Sequence, residues 1–108
     1  MDSMNSQTFL ALLLLYVSGI EGSLNDDELD FMRKEVGDDA MHEAERIYRH
    51  HSEFELIDLL QKTKERHYPG SVGTDVLMRE LTNYFESDGD FSNWEKAIAR
   101  VLKKIFQA

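Results

Sequence analysis

Phe9 to Val17, FLALLLLYV, is an unbroken apolar run close to the start of the sequence. Its nine residues fall well short of the ~18–20 that a membrane-spanning helix needs. No Lys or Arg precedes the run and Asp2 does, whereas a secretory signal begins with positive charge. We therefore interpret the run as the buried central helix of a cytoplasmic domain, with a cleaved signal peptide as the alternative.

Glycine, proline and polar capping residues divide the chain on either side of this run. Apolar residues recur at helical spacing between the breaks, and no segment alternates with period two. The pattern predicts an all-α fold, a single antiparallel bundle of about six helices that occupies residues 1–108 as one domain. The predicted helices run from Gln7 to Ile20, from the Asn25 cap to Val36, from Asp38 or Asp39 to near His50, from the Ser52 cap to the Tyr68-Pro69-Gly70 turn, from Val72 to Glu86, and from the Ser92 cap to the C-terminus.

The same pattern predicts how individual helices begin and end. Gly37 is expected to end the second helix in the left-handed conformation, and Asp38 or Asp39 to cap the third. Ser52 and Glu55 have the spacing of a capping box at the start of the fourth helix. Phe54 is assigned to the inward stripe of that helix, with the leucines that follow it.

The histidines do not form a zinc or catalytic motif. His42 is followed by Arg46 at the position where a zinc-protease helix carries its second histidine. His50 and His51 are adjacent, so on a helix they point about 100° apart, and we expect them to cap the carbonyl end of the helix. His67 is interpreted in the same way. Because no phosphate-binding loop or nucleophile motif is present either, we predict that the protein is not an enzyme.

The formal net charge of -9 is unevenly distributed along the chain. The first 60 residues hold 14 acidic side chains against 4 of Lys or Arg, and the remaining residues hold 7 against 8. An acidic first half repels phosphate backbones, so nucleic acid is not expected as a partner. The absence of cysteine excludes disulfides and thiolate metal sites.

A basic face is predicted on the last helix. Lys96, Arg100, Lys103 and Lys104 recur there at helical spacing. Together with the acidic first half they give a dipolar molecule, which suits head-to-tail self-association into a homo-oligomer or docking to a charged protein partner. A solvated outer face is the alternative.

Two eight-residue segments of the sequence are related. EGSLNDDE, Glu21 to Glu28, and DGDFSNWE, Asp88 to Glu95, superimpose without a gap at an offset of 67 residues. Each contains an acid, a glycine, a polar residue, a hydrophobic residue, a capping residue and a final glutamate. The chain thus contains two related helix–loop–helix units.

Helix capping explains much of this repeat but does not require the acid before each glycine, nor Asp90. Carboxylates that converge from two short loops are suitable ligands for calcium or magnesium. An EF-hand alignment fails, because Tyr84 falls on its first ligand position. Purely structural helix punctuation is the alternative to a divalent-cation site. The candidate metal ligands are Glu21, Asp88, Asp90 and Glu95.

The motifs Glu21-Gly22, Asn25 to Glu28, Asp88 to Asp90 and Ser92 to Glu95 resemble those of the TerB-like family of tellurite-resistance proteins. A related domain occurs in membrane-anchored J-domain co-chaperones. The resemblance covers roughly residues 9–106. It implies a helical bundle without known catalysis that takes part in bacterial stress-response assemblies near the inner membrane, some of them metal-dependent.

Two functional hypotheses follow from the sequence. The first is a non-enzymatic interaction or scaffold module of such a stress-response system, with acidic loops that bind a divalent cation. The alternative is a divalent-cation sensor in which calcium or magnesium reorders the two loops and changes helix packing.

Overall fold

Six helices and no strand are present in the residues that the computed structural model describes, 4–21, 26–86 and 100–106. This confirms the all-α prediction. Within these ranges no helix has the length and hydropathy that a bilayer crossing requires. The helices are α1 (Ser6–Glu21), α2 (Asp26–Val36), α3 (Asp38–Arg49), α4 (Glu53–His67), α5 (Gly70–Glu86) and α6 (residues 100–106).

The apolar run of α1 is buried on almost every side. Between Phe9 and Val17 only Leu15 is not fully buried, and it packs against the core. Helix α3 packs on α1 more extensively than any other helix does, and α2 and α4 contact it as well. The prediction of a central buried helix is therefore confirmed. Each buried Leu or Phe stabilises the fold by about 1.5–3 kcal/mol relative to an exposed one.

Helices α1 and α4 run antiparallel. Tyr16, late in α1, donates its hydroxyl proton to Glu53 Oε2 at the start of α4, over 3.4 Å. At the opposite end, the His67 Nε2 atom lies 2.8 Å from the Met4 carbonyl oxygen, just before α1. Pairing the last part of one helix with the first part of the other requires opposite directions, so the prediction of antiparallel packing holds for this pair.

The corner between α2 and α3 consists of Gly37 alone. Its N–H donates to the Arg33 carbonyl over 2.9 Å, and its carbonyl accepts from the Met41 N–H over 3.0 Å, so it closes one helix and opens the next. With φ 95° and ψ 152° it lies in an extended region that is accessible essentially only to glycine, not in the predicted left-handed helical region. The predicted cap was also wrong: Gly37 itself is the N-cap, and Asp38 and Asp39 form the first turn of α3, where their charges suit the helix dipole.

The start of α4 confirms one prediction and contradicts another. Ser52 and Glu55 form the capping box, with Ser52 Oγ accepting from the Glu55 N–H and Glu55 Oε1 accepting from the Ser52 N–H. Phe54, predicted to face inward, is 81% exposed. The inward face is fixed by Leu56 and Leu60, and Phe54 precedes Leu56 by two residues, which is about 200° around a helix.

Helix α6 contacts α4 through Gln61, whose Nε2 atom donates to the Ile105 carbonyl. Val101, Leu102 and Ile105 are buried, and Lys103 and Lys104 are exposed. Lys96, which was predicted to lie on the basic face, is outside the described residues.

Candidate interaction site

The four candidate metal ligands fall mostly outside the part of the chain that the structure describes. Glu21 is the last residue of α1, and only its backbone is described. Asp88, Asp90 and Glu95 lie outside the described residues, as does the Ser92 cap. No group of three or more His, Asp or Glu side chains is placed to hold a metal ion within the ranges that are described. The divalent-cation site therefore stays a prediction.

The two adjacent histidines cap the end of α3, as predicted. The His50 Nδ1 atom lies 2.8 Å from the Arg46 carbonyl oxygen, and the His51 Nδ1 atom lies 2.8 Å from the Ile47 carbonyl oxygen. A carbonyl can only accept, so in each ring Nδ1 carries the proton. The Arg46 and Ile47 carbonyls also accept from the His50 N–H, so the two rings add to the backbone cap of α3, and the chain then turns directly into the capping box of α4.

An exposed aromatic side chain lies at the start of α4, with acidic residues close to it in sequence. We call this surface the Phe54 knob and define it by Phe54, Glu53, Glu55 and Asp58, all four of which are exposed. The capping box fixes the backbone on which Phe54 stands. Asp58 pairs with Lys62 over 3.0 Å, and both groups are more than half exposed, so this pair contributes little to stability.

Tyr16 connects the Phe54 knob to the core. Its side chain is buried, while its hydroxyl reaches Glu53. Burial and, after it, the negative charge of Glu53 raise the pKa of Tyr16 above its ordinary value. The hydrogen bond from Tyr16 holds the Glu53 carboxylate at the edge of the knob.

The other end of α4 carries an open groove. It has a volume of about 490 Å³ and lies between α4 and α5, beside the first turn of α1. We call it the turn groove. Its apolar wall includes Val72, which is 73% exposed at the rim. The residues that define it are His67, Tyr68, Pro69, Val72, Val76 and Glu80.

Two residues that line the turn groove make partly buried polar contacts. Tyr68 donates its hydroxyl proton to Glu80 Oε1 over 2.5 Å, and its ring lies 6.0 Å from that of Phe9, centroid to centroid. His67 contacts the Met4 carbonyl instead of a carbonyl of its own helix, so the prediction of a helix-capping role for His67 was wrong. The His67 ring is not needed to cap the end of α4, because the Tyr68 N–H already donates to the Lys64 carbonyl there.

Lys64 holds the turn beneath the groove together. Only 2% of this residue is exposed, and its Nζ atom donates to the Gly70 carbonyl over 2.9 Å and to Glu65 Oε2 over 3.1 Å. The ammonium also lies 5.9 Å from the centre of the Phe106 ring in α6. The hydrogen bond from Lys64 and, after it, the one from the Gly70 N–H lower the pKa of Glu65 below its ordinary value. Nearby, Gln61 Nε2 donates to the Ile105 carbonyl over 2.7 Å.

The turn groove also depends on close packing at Gly73. A Cβ atom at this position would lie 2.1 Å from the carbonyl carbon of Tyr68, which is backbone and cannot move aside. The first turn of α5 can therefore approach Tyr68 this closely only if residue 73 is glycine. The sequence shows this glycine but gives no sign of the contact that requires it.

Sequence reasoning missed Phe54 and Val72, the large hydrophobic residues that are exposed in the described ranges. Phe54 was assigned inward because it precedes a leucine-rich stretch, although its spacing from Leu56 and Leu60 already places it on the opposite face. Val72 was taken only as the first residue of the fifth helix, whereas α5 begins at Gly70. Counting residues around the helix from Leu56 would have identified Phe54. Val72 has no comparable sequence signal.

No protein-family model matches the chain, and no curated protein or solved structure matches it either. The resemblance to the TerB-like family therefore rests on the motifs quoted above.

Proposed function

We propose that this chain is a non-enzymatic interaction module that binds a protein partner through the Phe54 knob. One observation carries the proposal: Phe54 is 81% exposed although it stands on a helix whose first turn is fixed by a capping box. Fully burying such a side chain is worth about 1.5–3 kcal/mol, and here folding leaves that free energy unused. A partner that covers Phe54 gains it without further ordering of the backbone.

Phe54 has the properties of an anchor residue in a protein interface. Aromatic side chains bury a large area with few rotatable bonds, and interfaces concentrate their binding energy in a few such residues. Single exposed hydrophobic residues are common on protein surfaces, so exposure alone is weak support. The capped start of α4 and the neighbouring acidic residues add to it.

The charges of the knob define the partner. Glu53 and Glu55 flank Phe54 in sequence, Asp58 follows it by one helical turn, and the whole chain carries a net charge of -9. A partner surface that places Lys or Arg side chains around an apolar socket matches this arrangement. Complementary charge of this kind mainly speeds association and selects among partners, while the aromatic contact provides the affinity.

The biological setting of the proposal comes from the TerB-like resemblance. It is a bacterial stress-response assembly near the inner membrane, in which this chain acts as an interaction or scaffold module. Calcium or magnesium at Glu21, Asp88, Asp90 and Glu95 belongs to the same proposal and stays separate from the knob, which requires no metal.

The proposal is tested by affinity capture from a bacterial lysate with three immobilised chains. These are the unmodified chain, Phe54→Ala, and Lys34→Ala as a matched exposed helix substitution far from the knob in sequence. We expect a set of proteins that the first and third chains retain and that Phe54→Ala loses, with circular dichroism showing the same helix content in all three. Identical captured sets from all three chains would contradict the proposal. Running each capture with calcium and with a chelator shows whether the cation changes partner binding, as the sensor alternative requires.

A further inference from the structure

We infer that the turn groove binds a lysine side chain of a protein partner, with the hydrocarbon stem of the lysine on the apolar wall and its ammonium beside Glu80. This inference goes beyond the proposed function, because it concerns the opposite end of α4 and does not use Phe54. Because α4 has 15 residues and rises 1.5 Å per residue, the knob and the groove are about 20 Å apart. They are therefore two separate contact surfaces.

The first argument is the make-up of the groove, which combines apolar residues with a carboxylate. Pro69, Val72 and Val76 line it, and Val72 is 73% exposed at the rim. Lysine side chains lay their hydrocarbon stem along such apolar surface while the charged head stays in water. The groove volume of about 490 Å³ lies within the range of natural ligand pockets, about 300–1,000 Å³, so there is room for a lysine and an apolar neighbour.

The second argument is charge. Glu80 is the only formally charged side chain that lines the groove in the described part of the chain, and it is exposed. In the adjacent turn of α4, Glu65 is exposed as well, whereas Lys64 is buried and its ammonium is already paired. Arg66 and Arg79 are exposed nearby in sequence but do not line the groove. The groove therefore presents negative charge, and a cation is the complementary ligand.

The third argument is the hydrogen bonding of Glu80. Its Oε1 atom accepts the Tyr68 hydroxyl proton over 2.5 Å, and the Tyr68 ring is buried against Phe9, so the core holds the carboxylate at the groove. Among the described residues no hydrogen bond or ion pair uses Oε2. An ionised carboxylate only accepts hydrogen bonds, so the ligand must be a donor. A compact ammonium can use this one oxygen, whereas the guanidinium fork of arginine matches both, which favours lysine.

The test is a titration of the isotopically labelled full chain with blocked peptides at low ionic strength, followed by backbone amide shifts. One peptide is Ser-Leu-Lys-Ser, acetylated and amidated at its ends. The second carries norleucine in place of lysine, which keeps the stem and removes the ammonium, and the third carries arginine. We expect the lysine peptide to give saturable shifts at Gly70, Val72, Gly73 and Val76. The norleucine peptide should bind about threefold to fivefold more weakly, and the arginine peptide no more tightly than the lysine peptide.

Two variants with the same change of charge locate the site. Glu80→Gln removes the charge and keeps an acceptor for the Tyr68 hydroxyl, while Asp75→Asn neutralises an exposed acid of α5 that does not line the groove. We expect Glu80→Gln to weaken the lysine peptide about threefold to fivefold and to leave the norleucine peptide unchanged, and Asp75→Asn to change neither. Val72→Ser should weaken both peptides, because both use the apolar wall. Circular dichroism checks that all the variants keep the helix content of the unmodified chain.

Several outcomes would overturn the inference. The first is the lack of saturable shifts at the groove. The second is a norleucine peptide that binds as tightly as the lysine peptide, or an arginine peptide that binds more tightly. Equal weakening by Glu80→Gln and Asp75→Asn would mean that the peptide responds only to the overall negative charge. Phe54→Ala is expected to bind the lysine peptide as the unmodified chain does, so the knob and the groove can fail independently; loss of the peptide in Phe54→Ala would place its binding at the knob and contradict the inference.

Discussion

The two ends of helix α4 are built in different ways. Around its start, the His50 and His51 rings and the Ser52–Glu55 capping box bond atoms three or four residues away, all of them in exposed or partly buried positions. Around its end, Lys64 is almost fully buried, and the contacts of the helix end reach as far as Met4, 63 residues away.

This difference has consequences for stability and for function. Local, solvated contacts are each worth about 1 kcal/mol, whereas a buried group that loses its partner costs more. We therefore expect the end of α4 to control the stability of the fold. The start can carry an exposed aromatic residue because little of the fold depends on it. Four substitutions test the comparison, from the largest expected effect to the smallest.

The largest effect is expected for Gly73→Ala. In an ordinary helix this change stabilises by about 1 kcal/mol, because alanine is the better helix former. Here the new Cβ would lie 2.1 Å from the Tyr68 backbone, so we expect a loss of about 3 kcal/mol or more in the free energy of unfolding. Denaturant unfolding measures it, with the neighbouring exposed substitution Ser71→Ala as control, expected within about 0.5 kcal/mol of the unmodified chain. A stabilised Gly73→Ala variant would show that the end of α4 is not closely packed.

The second effect is expected for Lys64→Ala, which removes the buried stem and the donor to the Gly70 carbonyl. We expect a loss of about 2–3 kcal/mol from the cavity and the unpaired groups together. Lys64→Met keeps most of the packing and should cost clearly less. Thermal and denaturant unfolding of both variants separate the loss of packing from the loss of the hydrogen-bond donor. A Lys64→Ala variant within about 0.5 kcal/mol of the unmodified chain would mean that Lys64 contributes no more to stability than an exposed surface lysine does.

The third effect lies at the start of α4. Ser52→Ala removes the side-chain acceptor of the capping box, and we expect a loss of about 1 kcal/mol. Ser52→Asn, which also caps helices well, should be close to the unmodified chain. If Ser52→Ala cost as much as Lys64→Ala, the proposed difference between the two ends of the helix would not hold.

The same difference explains what could be predicted from the sequence. The capping box and the roles of His50 and His51 were predicted correctly because each partner lies within four residues. At that separation the residue spacing along the helix indicates the contact. The role of His67 was wrong because its partner, the Met4 carbonyl, is 63 residues away and leaves no periodic signal.

The buried core was predictable for a related reason. The run from Phe9 to Val17 is apolar on every side of a helix, and only a central position can bury it. The candidate interaction site was not predictable as a whole. Its knob could have been found by counting around the helix from Leu56, but its groove arises from the close approach of α5 to Tyr68, which no sequence pattern states.

The smallest effect sharpens the comparison, because it concerns a long-range hydrogen bond at the start of α4. Tyr16→Phe removes the hydroxyl that reaches Glu53 over 3.4 Å, and at neutral pH we expect a loss of no more than about 1 kcal/mol. The pH dependence is more informative. Burial and Glu53 raise the pKa of Tyr16 in the folded chain above the ordinary value of 10.0, which the unfolded chain retains.

Below pH 10.0 Tyr16 is neutral in both states, so its contribution to stability is complete there. As the pH rises through and beyond this value the unfolded chain ionises first, and the folded state loses stability until its own, higher pKa is passed. Denaturant unfolding between neutral and strongly alkaline pH should show this decline in the unmodified chain and a shallower one in Tyr16→Phe. The other tyrosines are common to both proteins, so the difference between the two curves isolates Tyr16. Parallel curves would mean that Tyr16 titrates alike in the folded and unfolded chains, and that the start of α4 is held by its local contacts alone.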